Sequence, residues 1–445
     1  MKFRILSSAL FLALIVLNGP ASAGQTMTLA QCLQAGMKHN PSLNASRLSL
    51  DAAGQDTKAS RADFMPSVSS SYSVTGLASI RSKGLTDADY LDQEIKTYNI
   101  KLTQILYAGS RIVDAHEKFK IMEQALKAEL DLKKLELIYN IEVTFYKLMK
   151  AKQDVISATE SVSRLAESVK SAEAFFRKEL VPYVNVLQAQ VDLADAEEQL
   201  GIAKNNVNRE RVALFSLMDQ PLDPDVEFSG GLNPVLTDPP VFETSLAYAF
   251  KNRPDIMSLL YQRSVAEKEA DISMGKYLPV VRFDAGYSDQ DRDYENEGVA
   301  STGLYDRDQR NRYWTAGVSA TWEMFDGGRS WYEKEKHLTQ AKRMDALIQD
   351  ARNMISTGIR KALYSLSEAR LRIKSAADAE IAANEYYTGE EMRLRAGIST
   401  IPSLLDAQGR LIRAQGNKNR AMLDYQVAAS ELKLFSGNLS DSKDK

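Results

Sequence analysis

Two kinds of hydrophobic period alternate along this chain, each occurring twice. From Leu29 to His39 and again over residues 41–64, apolar positions recur at helical spacing, interrupted by Asn40-Pro41 and stopped by Pro66. The period then changes to two. Val68, Tyr72 and Val74 alternate with Ser67, Ser69, Ser71, Ser73 and Thr75, which separates an apolar face from a hydroxyl face. A polar stretch over residues 81–94 reads as a loop, and Tyr98, Ile100 and Leu102 then alternate with Thr97, Asn99, Lys101 and Thr103. Residues 110–178 contain neither proline nor glycine, so one helix of about 100 Å is allowed at roughly 1.5 Å per residue. Within it Val155, Ala158, Val162, Leu165, Val169, Ala172 and Phe176 keep a three-four spacing, as a coiled-coil seam does. Leu193, Ala196, Leu200, Ala203, Val207, Leu214 and Leu217 repeat that spacing beyond a turn at 179–182, so the two segments should pack antiparallel.

The second half restates the first. Arg177-Lys-Glu-Leu-Val-Pro-Tyr-Val-Asn-Val-Leu-Gln-Ala-Gln190 aligns without a gap, 218 residues on, with Arg395-Ala-Gly-Ile-Ser-Thr-Ile-Pro-Ser-Leu-Leu-Asp-Ala-Gln408. Leu106-Tyr-Ala-Gly-Ser-Arg111 recurs at the same spacing as Met324-Phe-Asp-Gly-Gly-Arg329, while Asn40-Pro41 and Phe64-Met-Pro66 recur at 213 as Arg253-Pro254 and Tyr277-Leu-Pro279. The change of offset places a five-residue insertion between Pro279 and Met324. Tandem duplication over nearly the whole chain implies two similar halves of one architecture. These halves are 24–235 (helices about 28–64, strands about 66–78 and 95–106, helical hairpin about 110–218) and 236–437 (helices about 241–277, strands about 279–289 and 312–325, hairpin about 328–436). A segment at 221–240, rich in proline and glycine, would band the middle of the rod, and 438–445 is a polar tail.

The four alternating runs suit a membrane better than a soluble sheet. Trp314 and Trp322 stand near the two ends of the last run, with Val318 between them on the same apolar face, and runs of about ten residues match the height of an outer-membrane barrel. Trp314, Val318, Trp322, Tyr72 and Val74 are therefore expected to meet lipid. Four strands cannot close, and an open edge in lipid leaves backbone groups unpaired. A dimer would make a filled eight-stranded barrel and a trimer a twelve-stranded one with a wet lumen, and the hydroxyl faces point to the trimer.

Composition adds a compartment. Lys2 and Arg4 precede an apolar run over 5–17 and then Ala21-Ser22-Ala23, the signature of a signal peptide over 1–23, so the mature chain is expected to begin at Gly24 outside the cytoplasm. The one cysteine, Cys32, lies too far from that site to carry a lipid and reads as a small helix residue. Without Lys2 and Arg4 the 56 basic residues fall to 54 against 59 acidic ones, a net charge of −5, and no basic excess suggests nucleic acid. His39, His116 and His337 are scattered, and no phosphate-loop or metal motif occurs, so neither enzymatic chemistry nor a cofactor is expected.

Arg395-Ala-Gly397 through Leu405-Asp406-Ala407, Leu106-Tyr-Ala-Gly109 with Met324-Phe-Asp-Gly327, and Asn252-Arg-Pro-Asp-Ile256 make residues 25–437 resemble the TolC family of outer-membrane efflux proteins. That resemblance implies a homotrimer with a twelve-stranded barrel continued by a tunnel of twelve helices. It would be the exit duct for a drug-efflux transporter or a type I secretion ATPase of the inner membrane, reached through a periplasmic adaptor. It further implies adaptor contact at the tips, Leu180, Val181, Pro182, Gly397, Ile398, Ser399 and Thr400, and a tip network drawn from Asn185 and Arg395. The pore constriction is expected at Asp406 and Ser403. Here the chain departs from the family, with Ser403 in place of a second acidic residue and Ser399 where an arginine is usual. The rival reading is a secreted or periplasmic coiled-coil scaffold without a pore.

Overall fold

The computed structural model describes residues 26–83, 87–222, 226–294 and 309–438. The signal segment, Gly24, and the charge-dense stretch over 295–308 lie outside the described residues.

The chain runs β1 (Thr26–Met27), α1 (Leu29–His39), α2 (Pro41–Ala59) with a 3-10 turn Ser60–Phe64, β2 (Ser67–Lys83), β3 (Asp87–Tyr107), α3 (Arg111–Arg177) and α4 (Tyr183–Met218). The second half gives β4 (Glu227–Phe228), α5 (Phe242–Asn252), α6 (Pro254–Gly275), β5 (Val280–Tyr294), β6 (Gln309–Thr321), α7 (Arg329–Arg395) and α8 (Ile401–Ser436). The two long helices, α3 and α7, are both 67 residues and the two return helices both 36, so the duplication extends to element length.

β2, β3, β5 and β6 form one antiparallel sheet in that order, leaving β2 and β6 as its edges. Its register assembles the alternating patterns into two faces. Val68 pairs with Leu102, Leu102 with Ala285 and Ala285 with Ala316, while Phe283 pairs with Val318 and Tyr287 with Trp314. On the other face Ser71 pairs with Asn99, Asn99 with Ser288, and Gly286 with Thr315. Thr103 donates to the Asp284 carboxylate at 2.8 Å and Lys101 approaches it at 3.1 Å, a polar cluster on that second face.

The strands are longer than the alternation suggests. The stretch over 81–94, read from sequence as a loop, continues β2 and β3 to a ladder that ends at Lys83 opposite Asp87. β5 similarly runs five residues past Asp289. The reason lies in the sequence: charged and polar residues follow one another there without alternation, so the stretch carries no period to detect. Arg310 and Arg312 both pair with Asp289, and Lys96 with Glu94 and Asp293, in this charged extension. β6 ends at Thr321, before the Trp322 to Phe325 stretch expected to finish it.

Below the sheet the helices form a layer. α3 packs on α2, α6 and α4, and α7 packs on α6 and α8, with α3 and α8 in contact between the two hairpins. Nearest the sheet the order is α2, α3, α6, α7; toward the far end it is α4, α3, α8, α7. The seams bury the residues that the three-four spacing selects, including Leu165, Val169, Ala172, Ala196 and Ala203. Phe176, the last seam position of α3, stays exposed against Tyr183 at a ring distance of 5.2 Å. The middle of the rod holds the densest core, where Phe145, Leu148 and Met149 of α3 meet Leu214, Phe215 and Met218 of α4 and Phe228 of β4. Cys32 is buried there, and burial pushes its thiol up to about 12, so it packs as a small apolar residue. The segment after α4 lies on this core: β4 pairs with β1, and Lys152 donates to the Phe228 carbonyl at 2.7 Å.

The Asn-Pro and Arg-Pro boundaries have one function in both halves. Asn40 caps α2 and its amide donates to the Leu217 carbonyl at the end of α4, 2.9 Å away. Arg253, 213 residues on, is buried, pairs with Asp255, and donates to the Leu434 and Phe435 carbonyls at the end of α8, both at 3.1 Å. Each ties a helix start to the unsatisfied carbonyls of a return helix.

Candidate functional site, the hairpin tips and the sheet faces

Both hairpins turn by the same backbone device. Leu180 donates to the Phe175 carbonyl and Ile398 to that of Arg393, both at 2.9 Å, closing the six-residue ring of a Schellman turn. Such a ring needs a left-handed residue, supplied by Gly397 at φ 76° and by Glu179 at φ 59°. The turns hold Leu180 and Ile398, 66% and 68% exposed, at the outermost points of the rod. Pro182 is the N-cap residue just before α4, and Thr400 caps α8 by accepting from the Ser403 backbone N–H at 3.3 Å. Val181 is half-buried beside Phe176 and Leu180, where the first turn forms a shallow concavity.

The expected tip network is rearranged toward self-contained contacts. Ser399 donates to Glu390, a buried carboxylate of α7 that Arg393 also pairs at 3.1 Å. Among the described residues Arg395 pairs with Glu391 of its own helix, at 2.5 Å, and the Asn185 backbone N–H closes its turn on the Pro182 carbonyl. Asp406 and Ser403 sit one turn apart on α8, Ser403 half-buried against Thr400 and Asp406 exposed. Sequence reasoning missed the partner of Asp406: Arg410 donates to it at 2.8 Å, four residues along the same helix. That spacing was available to be read. Glu390, nine residues before Ser399, carried no such signal.

Beneath the tips the two hairpins join through an apolar cluster, with Leu165, Val169 and Val186 against Leu394, Ile401, Leu404 and Leu405. Nearer the sheet, ion pairs take over between α3, α6 and α7. Lys268 of α6 bridges Asp114 at 3.0 Å and Glu117 at 2.6 Å on α3, which holds the Glu117 carboxyl below its usual range. Among the described residues no group of three or more His, Cys, Asp or Glu could hold a metal, and no helix is long and apolar enough to cross a membrane.

The sheet offers a different surface. Its apolar face exposes Tyr72, Val74, Val318 and Trp314, and Trp314 stacks on Tyr287 at 4.8 Å; Trp322, just past the end of β6, is exposed too and donates its indole N–H to the Tyr277 carbonyl at 2.9 Å. An open four-stranded sheet with such a face, borne on helices of about 100 Å, is the architecture that the comparisons with known proteins match. The family model for outer membrane efflux proteins covers residues 33–220 and 246–438. The chain belongs to the outer membrane efflux protein family. Outer membrane efflux protein BepC of Brucella suis biovar 1 is 22% identical over 441 residues, which are 98% of this chain and 91% of that protein. The Campylobacter jejuni CmeC outer membrane channel is 17% identical with a TM-score of 0.77, over 92% of this chain and 85% of that one. VceC, an outer membrane protein of Vibrio cholerae, is 16% identical with a TM-score of 0.76, over 92% and 96% of the two chains. This family is one of transport proteins of the outer membrane, not a class of enzymes, and the chain is an outer-membrane efflux channel component, which sets the scaffold reading aside.

Proposed function

We propose that three copies of this outer membrane efflux protein close one duct, a twelve-stranded barrel in the membrane continued by twelve helices in the periplasm. One observation carries the proposal: β2 and β6 are edges that no strand among the described residues pairs, on a sheet of four strands with an exposed apolar face, too few to close on itself. The helices below support the same closure. α4, at the β2 side, exposes Val184, Leu187 and Val191, and α7, at the β6 side, exposes Met354, Tyr364 and Leu371, apolar stripes suited to meet across a boundary between copies. The apolar face then meets lipid and the hydroxyl face lines water. Trp314 within β6 and Trp322 just past its end would then lie near the two borders of that lipid-facing band. Export would proceed through a signal segment cleaved after Ala23, leaving Gly24 without lipid.

The exposed Leu180 and Ile398 are offered to a periplasmic adaptor, through which the duct serves an inner-membrane pump. Threefold symmetry would place three Asp406 carboxylates at the narrow end, each beside its Arg410. Because the arginine neutralises the carboxylate locally, charge and packing share the closed state, the packing resting on Leu404 and Leu405. Purified protein in a planar bilayer should conduct. Arg410→Ala should raise cation selectivity and strengthen block by divalent cations from the periplasmic side, and Asp406→Ala should abolish both. Single channels whose selectivity and block ignore both substitutions would remove Asp406 from the constriction and leave the duct standing.

A further inference from the structure

The two faces of the sheet treat their cations differently. On the apolar face every arginine and lysine among the described side chains has a carboxylate: Lys96 pairs with Glu94 and Asp293, and Arg310 and Arg312 share Asp289. On the hydroxyl face the register brings together Lys101, Arg282, Asp284 and Arg292, three cations with one carboxylate. That carboxylate is already occupied, since Thr103 donates to Asp284 at 2.8 Å and Lys101 stands 3.1 Å away.

Arg282 is half-buried, and among the described residues it makes neither a hydrogen bond nor an ion pair. Its Nε alone is closed to solvent, so the two Nη groups are the donors that a ligand can reach. Arg292 repeats the situation farther along β5: no carboxylate pairs with it, and the Gln290 side-chain oxygen is its one hydrogen-bond partner, at 3.5 Å. Ten residues separate the two arginines, about 33 Å of strand. Because β5 follows α6, Arg282 lies at the helical end of the sheet and Arg292 at the far end. A guanidinium keeps its charge at any pH that the protein meets, and a partly desolvated one is left unsatisfied until an acceptor reaches it. Ser319 of β6 is exposed directly across the ladder from Arg282 and adds a hydroxyl on the same face. Two donors side by side, with the nearest carboxylate taken by Lys101, suit an oxyanion and disfavour a cation.

We propose that Arg282 and Ser319 form an anion site for the phosphate group of a small solute, with Arg292 drawing the anion in from the far end of the sheet. The assignment rests on the duct reading for its place, the lumen of the barrel, where three copies would set three such sites in series with the narrow tips. The tips govern the selectivity of the whole duct, so the site is read by equilibrium binding, which does not require conduction. The test titrates pyrophosphate into full-length protein in dodecyl maltoside, a non-ionic detergent, and follows the heat by calorimetry. The expected result is saturable binding at one site per chain, weakened about tenfold or more in Arg282→Gln and less in Arg282→Lys, which keeps the charge. Asp284→Asn, which removes the one carboxylate of that face, should tighten it, and Arg310→Gln, on the opposite face, should leave it unchanged. Because Arg282 bonds to no other described residue, its replacement leaves the sheet intact, which circular dichroism checks. Unchanged affinity in Arg282→Gln, an equal loss in Arg310→Gln, or no saturable binding would overturn the proposal. Conduction in a planar bilayer without pyrophosphate binding would sink this site alone; binding without conduction would sink the duct reading alone.

Discussion

Among the described residues three non-glycine positions have positive φ, Ser110, Glu179 and Asp219, and each aligns, 218 residues on, with a glycine of positive φ: Gly328, Gly397 and Gly437. The duplication has kept a left-handed backbone at three junctions while the first copy lost the residue that adopts it without strain. An L-residue there costs roughly 1–2 kcal/mol, partly offset because glycine loses about 0.5–1 kcal/mol more entropy on folding. Glu179, whose side chain has none of the local hydrogen bonding that eases aspartate into this region, should gain most. Glu179→Gly is expected to stabilise the first hairpin by about 0.5–1 kcal/mol and Gly397→Ala to destabilise the second by about 1 kcal/mol. Thermal unfolding followed by circular dichroism measures both, and equal, small effects at the two sites would separate the turns' energetics from their shared φ.

At the scale of elements, the sheet and the helix layer are held by different forces and should fail differently. Val318 and Ser319 are adjacent on β6 and face opposite ways, Val318 paired with Phe283 and Ser319 with Arg282. Val318→Lys should cost about 2–4 kcal/mol of membrane stability if it lies near the midplane, whereas Ser319→Lys should leave assembly intact. Urea unfolding in vesicles compares them, and equal tolerance would deny the sheet a lipid face. Between α3 and α6, the Glu117 carboxyl is depressed chiefly by the hydrogen bond from Lys268, so its contribution is present above the unfolded value, about 4.3, and lost as pH falls through the lower folded value. Lys268 is raised by the same pair, so its contribution persists at neutral pH and disappears only in strong base. Glu117→Gln should therefore unfold less steeply with acid than the parent protein, seen in melting curves taken from pH 7 to pH 3. The helices were legible because a seam of three-four spacing is buried or half-buried along its length, Phe176 at the tip excepted. The strands were legible only between their aromatic rows, since the charged extensions, β2 up to Lys83, β3 from Asp87 and β5 beyond Asp289, obey no period. Side-chain pairings were legible when they followed helix spacing, as Asp406 with Arg410, and invisible when they joined distant segments. Gln408 on Ser161 and Ser399 on Glu390 depend on how two hairpins and one turn are set, which no local pattern encodes.

For the molecule as a whole, the account depends on closure between copies. Every layer has the same two unfinished sides: β2, α2 and α4 on one, β6 and α7 on the other. Leu48 of α2 and Trp331 and Tyr332 of α7 are exposed on the helices nearest the sheet, as Val184 and Met392 are near the tips, so apolar surface runs the length of the rod. A single copy would leave strand edges bare in hydrocarbon and these stripes in water, both strongly unfavourable. Native mass spectrometry of the protein extracted from outer membranes in mild detergent measures this directly. The expected species is three chains without covalent linkage, splitting into single chains only under conditions that also unfold the sheet. A single chain, stable and monodisperse in the same detergent with its strands intact, would contradict closure by edges.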